Sequence, residues 1–279
     1  RDYGIEGQLG LEPSFHQYIS NLCDIFDGVK RCLKNDGTCW VNLGDSYAGQ
    51  MGKKNGWTDA KLGYRKQEVI DKGICLTKKI KIIDQLPQKC LVGIPFRFAI
   101  EMVNRGWILR NTIIWHKLNC MPSSAKDRFT VDFEYIFFFS KKKKYWFEQQ
   151  LIPCKEASFK RAAGIYTGSY AKHKKTAMGI KTEYGNADRF APKRGRNKRS
   201  VWTINTKPFK GAHFAVYPEQ LVETPIKAGC PERGIVLDPF FGAGTTGLVA
   251  LKQNKNFIGI ELNNKYIEIA KRRLKPFMK

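Results

Sequence analysis

Apolar residues recur at helical spacing from Phe15 through Tyr18, Ile19, Leu22, Ile25, Phe26 and Val29 to Leu33, with Ser14 placed to cap the first turn. The pattern predicts an amphipathic helix over 14–34. Asn35, Asp36 and Gly37 then supply a turn, and "TCWVNLGD" reads as a buried strand, so that helix and strand make half of a βαβ unit. Pro95 opens a second helix that runs to about Asn104, and "GWILRNTIIW" follows as a strand. "YIFFFS" at 135–140 has the length of a buried strand, and "FEYIFFFS" and "YWFEQ" around the lysines at 141–144 predict a hairpin. The last 70 residues are the most regular. Pro218 starts a helix to about Ala228, "GIVLDPF" is a strand, "TTGLVALKQ" a helix, "NFIGIE" a strand, and "NNKYIEIAKRRL" a helix whose final cations suit its dipole. This βαβα order predicts an α/β fold with a parallel, doubly wound sheet. Only two strands fit after residue 230, so the rest of the sheet comes from earlier in the chain.

Two stretches interrupt the periodicity. Residues 49–82 are polar, basic and glycine-containing, which predicts a mobile loop. Residues 155–210 hold 15 Lys/Arg and 3 Asp/Glu, a net of +12, with Tyr166, Tyr170, Tyr184, Phe190 and Trp202 interspersed. That segment supplies half of the excess of a chain with 49 Lys/Arg against 25 Asp/Glu, a net charge of +24. Such an excess favours a polyanionic partner, nucleic acid before an anionic membrane surface. The segment fits a nucleic-acid-binding region with cations for phosphates and aromatics for bases, and its composition also fits a disordered basic insertion.

Other chemistry is narrowed by absence in the sequence. No apolar run reaches the roughly 18 residues of a membrane span. "RDYGIEGQLG" has neither signal-peptide nor transit-peptide character, lacks Met and opens in mid-loop composition. The eight cysteines (23, 32, 39, 75, 90, 120, 154 and 230) form no C-x-x-C pair and no metal-ligand spacing with histidine, so reduced thiols and no structural metal are expected.

The stretch "GIVLDPFFGAGTTG" carries the most specific chemistry. Gly242, Gly244 and Gly247 satisfy G-x-G-x-x-G, and Glu261 follows Gly242 by 19 residues, as in a dinucleotide fold. A dinucleotide, however, sets its pyrophosphate on the helix N-terminus, and Asp238 places a carboxylate beside that turn. An acid there repels phosphate and suits a cofactor that carries a sulfonium and an ammonium and no phosphate, which is S-adenosylmethionine. Glu261 can accept from both ribose hydroxyls, and Thr245 and Thr246 offer hydroxyls at the helix start. No G-K-[ST] follows, which excludes a phosphate loop.

"LDPFFGAGTT" resembles the cofactor motif of the amino-group DNA methyltransferases, which methylate adenine N6 or cytosine N4. "DGTCWVNLGDSYAG", "RNTIIWHKLNCMPSSAKDRFTVDFEYIFFFSK", "NKRSVWTINTKPFKGAHFAVYPEQLV" and "FIGIELNNKYIEIAKRRL" extend the likeness over most of 1–150 and 196–275. The order of motifs resembles the β arrangement of that family. The resemblance implies a seven-stranded, Rossmann-like methyltransferase sheet with a basic target-recognition insertion. It divides the chain into a catalytic half (1–150), a target-recognition region (151–205) and a cofactor-binding half (206–279). It implies double-stranded DNA as partner, base flipping, and the cytoplasm of a prokaryotic cell or a phage-infected host. Dimers are common in the β arrangement, and the sequence leaves the oligomeric state open.

The resemblance also distributes the site. Cofactor contacts are expected from Asp45, His213, Phe214, Tyr217, Asp238, Pro239, Phe240, Gly242, Gly244, Thr245, Thr246, Glu261 and Leu262. Trp115, His116, Lys117 and Asn119, at a strand end, are expected to complete the pocket for the target base, and Lys193, Arg194, Arg196, Lys198 and Arg199 to meet DNA. For His116 a structural role fits equally well, and Asp45 either faces the cofactor or caps the following turn. The family's catalytic Ser/Asp/Asn-Pro-Pro-Tyr/Phe tetrapeptide occurs nowhere in the 279 residues. In relatives it lies a few residues before a stretch like "RDYGIEGQLGLEP", so the chain is expected to begin just after it, and the activity of these residues alone is in doubt. "RDYG" resembles members whose tetrapeptide begins with Ser, which favours cytosine N4 over adenine N6. The competing readings are a catalytically silent fragment that binds DNA and cofactor, an RNA methyltransferase of the same fold, and an NAD-dependent enzyme, the last disfavoured by Asp238 and by the charge.

Overall fold

The computed structural model describes residues 4–48, 86–156, 195–209 and 216–278. The loop expected over 49–82, His213, Phe214, Lys193 and Arg194, and most of the basic segment lie outside the described residues. The chain forms two units, one of Arg1–Phe147 with Ser200–Lys279 and one of Glu148–Arg199.

In the larger unit, α1 (Phe15–Cys32) begins where the Ser14 hydroxyl accepts the Gln17 N–H, as its sequence predicts. It leads to β1 (Thr38–Leu43), then to α2 (Ile94–Asn104), β2 (Ile108–His116) and β3 (Phe133–Ser140). In the smaller unit β4 (Leu151–Ile152) pairs antiparallel with β5 (Arg196–Asn197). The larger unit resumes with β6 (Val201–Thr203), α3 (Glu219–Gly229), β7 (Ile235–Asp238), α4 (Thr245–Lys252), β8 (Asn256–Gly259) and α5 (Asn264–Leu274).

A four-stranded sheet has the order β1-β3-β2-β6, with β3 antiparallel to both neighbours and β6 parallel to β2. A second, parallel pair joins β7 to β8. The α/β class and the parallel C-terminal βαβα unit agree with the sequence, while the larger sheet is mixed. The expected hairpin across the lysines at 141–144 does not form. Both edges of β3 are already occupied, by β1 and by β2, so no edge remains for residues 145–149. Tyr145 and Phe147 pack against the Phe138 ring instead, with centroids 5.7 and 5.6 Å away.

β3 is covered on both faces, which is why it reads as an unbroken apolar run. Phe137 and Phe139 join α1 and α2 residues Phe15, Ile19, Phe26, Phe98 and Met102 in one core. Ile136 and Phe138 join Ile113, Trp115, Trp202 and Leu221 in the other. Trp40 stacks flat on Phe138 at 4.1 Å, and the Thr38 hydroxyl donates to the Gly229 carbonyl, fixing the end of α3 to β1. A third core, of Phe241, Leu248, Ala270 and Leu274, lies between α4, α5 and the β7–β8 pair.

Candidate functional site

The C-terminal end of β7 runs into a turn whose three glycines have different physical reasons. Gly242 and Gly244 have φ of 51° and 78°, a left-handed backbone that strains any residue with a Cβ. Gly244 is also the N-cap of α4. Gly247 is inside the helix, and a Cβ there would meet the Phe241 ring at 2.7 Å. The G-x-G-x-x-G pattern thus combines two backbone requirements with one of packing.

Two carboxylates hold this turn. Asp238 accepts the Phe240 N–H on Oδ1 at 2.9 Å, and the Thr246 hydroxyl (2.5 Å) and the Tyr217 hydroxyl (3.3 Å) on Oδ2. The Tyr217 and Thr246 oxygens are themselves 2.5 Å apart. Burial, and then the Asp238 charge, push the Tyr217 phenol well above its ordinary pKa, so it stays a neutral hydroxyl. Glu261, just past β8, accepts the Gly242 N–H on Oε2 at 2.7 Å and the Asn263 N–H on Oε1 at 2.8 Å. It therefore staples the glycine turn to the chain leaving the neighbouring strand. Each of its oxygens keeps one further acceptor position. Phe240 and Leu262 are exposed beside the turn, and Pro239 is half-buried.

One residue at this turn is missing from the sequence expectation. Arg273 reaches from α5 and donates from Nη1 to the Ala243 carbonyl at 2.5 Å and to the Thr245 hydroxyl at 3.2 Å, while its guanidinium carbon lies 4.9 Å from the Phe209 ring centroid. Its position in "AKRRL" reads as a cation answering the helix dipole. The signal that identifies it is periodicity. Ala270, one turn earlier on the same face, is what a Cβ on Gly244 would strike, at 2.9 Å. Replacing Arg273 with Met is expected to weaken S-adenosylmethionine binding roughly 10-fold, the scale of one charged hydrogen bond, with partial recovery in Arg273→Lys. Calorimetry on the three proteins checks this, and equal affinities would reduce the contact to a surface detail.

Asp45 lies past the end of β1 and does not stand free. Its carboxylate accepts the Ser46 N–H and, across 48 residues of sequence, the N–H groups of Gly93 and Ile94 at 3.0 Å each. It thus caps α2, whose own N-cap, Gly93, has no side chain to do so.

Of the four residues expected around a target base, Trp115 and Lys117 meet, while His116 and Asn119 bond to other partners. Trp115 is 4% exposed, packed in the core, with its indole N–H donating to the Ile204 carbonyl at 2.8 Å, so it has almost no surface for a ligand. Asn119 exchanges two 2.9 Å bonds with the backbone of Thr206 and fixes that loop. His116 is more open, with Nδ1 at 3.2 Å from the Thr203 hydroxyl and Nε2 at 3.4 Å from Asp132. Lys117 pairs with Glu134 and lies 4.3 Å over the Trp115 ring. In the smaller unit Lys198 and Arg199 are exposed, and Arg196 is half-buried.

A family model described as DNA methylase (N6_N4_Mtase) matches residues 3–272. The type II methyltransferase M.SmaI of Serratia marcescens is 38% identical over 274 residues, covering 98% of this chain and 80% of that protein. M.Cfr9I of Citrobacter freundii is 36% identical, covering 98% and 77%. Among solved structures, the PvuII DNA methyltransferase (cytosine-N4-specific) superposes with a TM-score of 0.58 at 16% identity, covering 93% of this chain and 71% of that one. A putative DNA modification methylase of Thermus thermophilus, complexed with S-adenosyl-L-methionine, gives 0.52 at 17% identity, covering 94% and 79%. Those two likenesses carry the fold, and the sequence matches carry the family. The chain belongs to the N6/N4 DNA methylase family and is an S-adenosylmethionine-dependent, site-specific DNA amino-methyltransferase.

Proposed function

We propose that this chain serves methylation of cytosine at N4 within a specific double-stranded DNA sequence, with the target base turned out of the duplex, in the bacterial cytoplasm. The observation that carries the site assignment is Glu261, which holds the glycine turn and still has an acceptor position free on each oxygen. That arrangement fits a vicinal diol, the ribose of the cofactor. Gly242 and Gly244 give the turn the left-handed backbone that presents it to the ligand, and Pro239, Phe240 and Leu262 offer apolar surface for the adenine ring. Among the described residues at the turn, two carboxylates against the guanidinium of Arg273 leave it negative on balance, which suits a ligand with a sulfonium and an ammonium. Asp238 acts mainly through that charge and through the turn it holds, with Tyr217 and Thr246 orienting it. Asp45 positions the start of α2.

Bound S-adenosylmethionine supplies a methyl group on a positively charged sulfur. The chain contributes positioning more than acid–base chemistry, because an exocyclic amine needs alignment with that methyl rather than a strong base. His116 and Lys117 serve the target base from the end of β2, and Trp115 supports them from the core. The basic segment, Lys193, Arg194, Arg196, Lys198 and Arg199 included, serves target recognition through phosphate contacts, for which steep weakening of binding with salt is expected. A homodimer, common in the β arrangement, belongs to the same reading.

Nucleoside mass spectrometry tests it. DNA from a host without its own amino-methylation, expressing the full-length protein, is expected to contain N4-methylcytosine. N6-methyladenine in its place would move the target to adenine, the preference for cytosine resting on the likeness of "RDYG" to Ser-type members. Neither base, with DNA and cofactor still bound, would leave the silent binding protein as the better description.

A further inference from the structure

The connection between β2 and β3, residues 117–132, presents large apolar side chains to solvent. Phe129 is 95% exposed, Met121 87% and Leu118 66%. Single exposed apolar residues are ordinary, but three of this size in sixteen residues, two of them almost bare, make a concentrated patch.

The loop is nevertheless tied down on both sides of Phe129. Asp127 pairs with Lys89 at 2.6 Å, and the Arg128 guanidinium lies 3.6 Å from the Tyr47 ring centroid. On the far side the Lys117 N–H donates to the Asp132 carbonyl at 2.7 Å, and the Asp132 carboxylate faces His116. Arg128, next to Phe129, is spent on the body of the protein, while the Phe129 ring itself is exposed. Asp127 faces Lys89 and Asp132 faces His116, and the cations that flank the apolar patch are Lys126 and Arg128. The loop also leaves β2 at His116 and returns at Phe133, the end of the sheet at which Asp45 follows β1.

We propose that this loop is a wedge that enters duplex DNA, with Phe129 taking the place of the base that leaves the stack and Met121 packing beside it. An apolar ring has no polar group to satisfy between base pairs, and its stacking there substitutes for that of the flipped base on its neighbours. The inference rests on the base-flipping methyltransferase reading given above.

The test uses the full-length protein and single-turnover methyl transfer. Sequencing of plasmid DNA modified by the protein first gives the site. Two short duplexes are then compared, one with the target base paired and one with an abasic position opposite it. Phe129→Ala is expected to slow transfer to the paired duplex about 30-fold, the scale of one base–aromatic stack, with less than about a 3-fold loss on the abasic-opposed duplex. Phe129→Trp is expected to retain the wild-type ratio. Equal loss on both duplexes, or no loss on either, overturns the wedge while the wild-type enzyme remains a methyltransferase. If the wild type transfers no methyl group to either duplex, the underlying reading falls and takes the wedge with it. Because Phe129 touches so little of the protein, unchanged melting of the variants is expected and separates these outcomes from misfolding.

Discussion

Replacing Asp238 with Ala is expected to weaken S-adenosylmethionine binding by about 100-fold or more, while Asp238→Asn weakens it by only about 10-fold. The two variants separate what the carboxylate does by charge from what it does by geometry. In the alanine variant the Phe240 N–H loses its acceptor, and the Tyr217 and Thr246 hydroxyls keep only each other. The turn after β7 then keeps the Glu261 staple and the Phe241–Ile260 backbone bond but loses the side-chain bonds at its entry, and a stability loss of about 1–3 kcal/mol accompanies the loss of affinity. Asparagine keeps an oxygen for the Phe240 N–H, and its amide can donate to the Thr246 oxygen, so the turn survives and only the negative charge is gone. Calorimetry with S-adenosylmethionine and thermal melting on the same samples read both quantities. Full affinity in Asp238→Asn would show that the charge is immaterial and would remove the electrostatic case against a phosphate-bearing cofactor.

The glycine turn after β7 was legible in the sequence because its constraints are local. Gly242 and Gly244 are glycine for their backbone, Asp238 ends a strand, and Glu261 sits one βα unit later; all of this is encoded within about two dozen residues. The helices at 15–32, 219–229 and 264–274 were legible for the same reason, since stripes and caps repeat at short range. What escaped depends on which parts of the chain meet in space. The apolar run of β3 showed that both faces would be covered, but not that β3 would enter between β1 and β2 in the opposite direction, and the missing hairpin follows from that insertion. Asp45 could be read as a site acid or a turn cap, and the groups it serves, at Gly93 and Ile94, are too far along the chain to be inferred. Trp115 stands beside His116 in sequence, yet alternate residues of a strand face opposite sides, and the Trp115 side is core. Arg273 looked like a dipole partner because its true acceptors, Ala243 and Thr245, lie on another element.

The same turn depends on a contact that no motif names. Gly259, at the end of β8 and paired in register with Asp238, has the Phe241 ring lying directly on its Cα. A Cβ added there would come within 2.4 to 2.6 Å of three ring carbons. Phe241 cannot swing aside: it is stacked on Phe257 at 5.4 Å, and it also fills the spaces left by Gly244 and Gly247. Gly259→Ala is therefore expected to cost about 3 kcal/mol of stability through overpacking alone, because its φ is not in the left-handed region. Phe241→Ala removes a buried ring and is expected to cost about 3–5 kcal/mol. In that background the added methyl enters empty space, so Gly259→Ala should then cost less than about 1 kcal/mol, a coupling of at least about 2 kcal/mol in the double-mutant cycle. Denaturant unfolding of the four proteins measures it, and additive costs would mean that strain elsewhere in β8 accounts for the effect. Cofactor affinity should fall with Gly259→Ala as well. The Phe241 N–H bonds to the Ile260 carbonyl, and the next N–H, that of Gly242, is the one Glu261 holds, so displacing the ring moves both ends of the staple that forms the site.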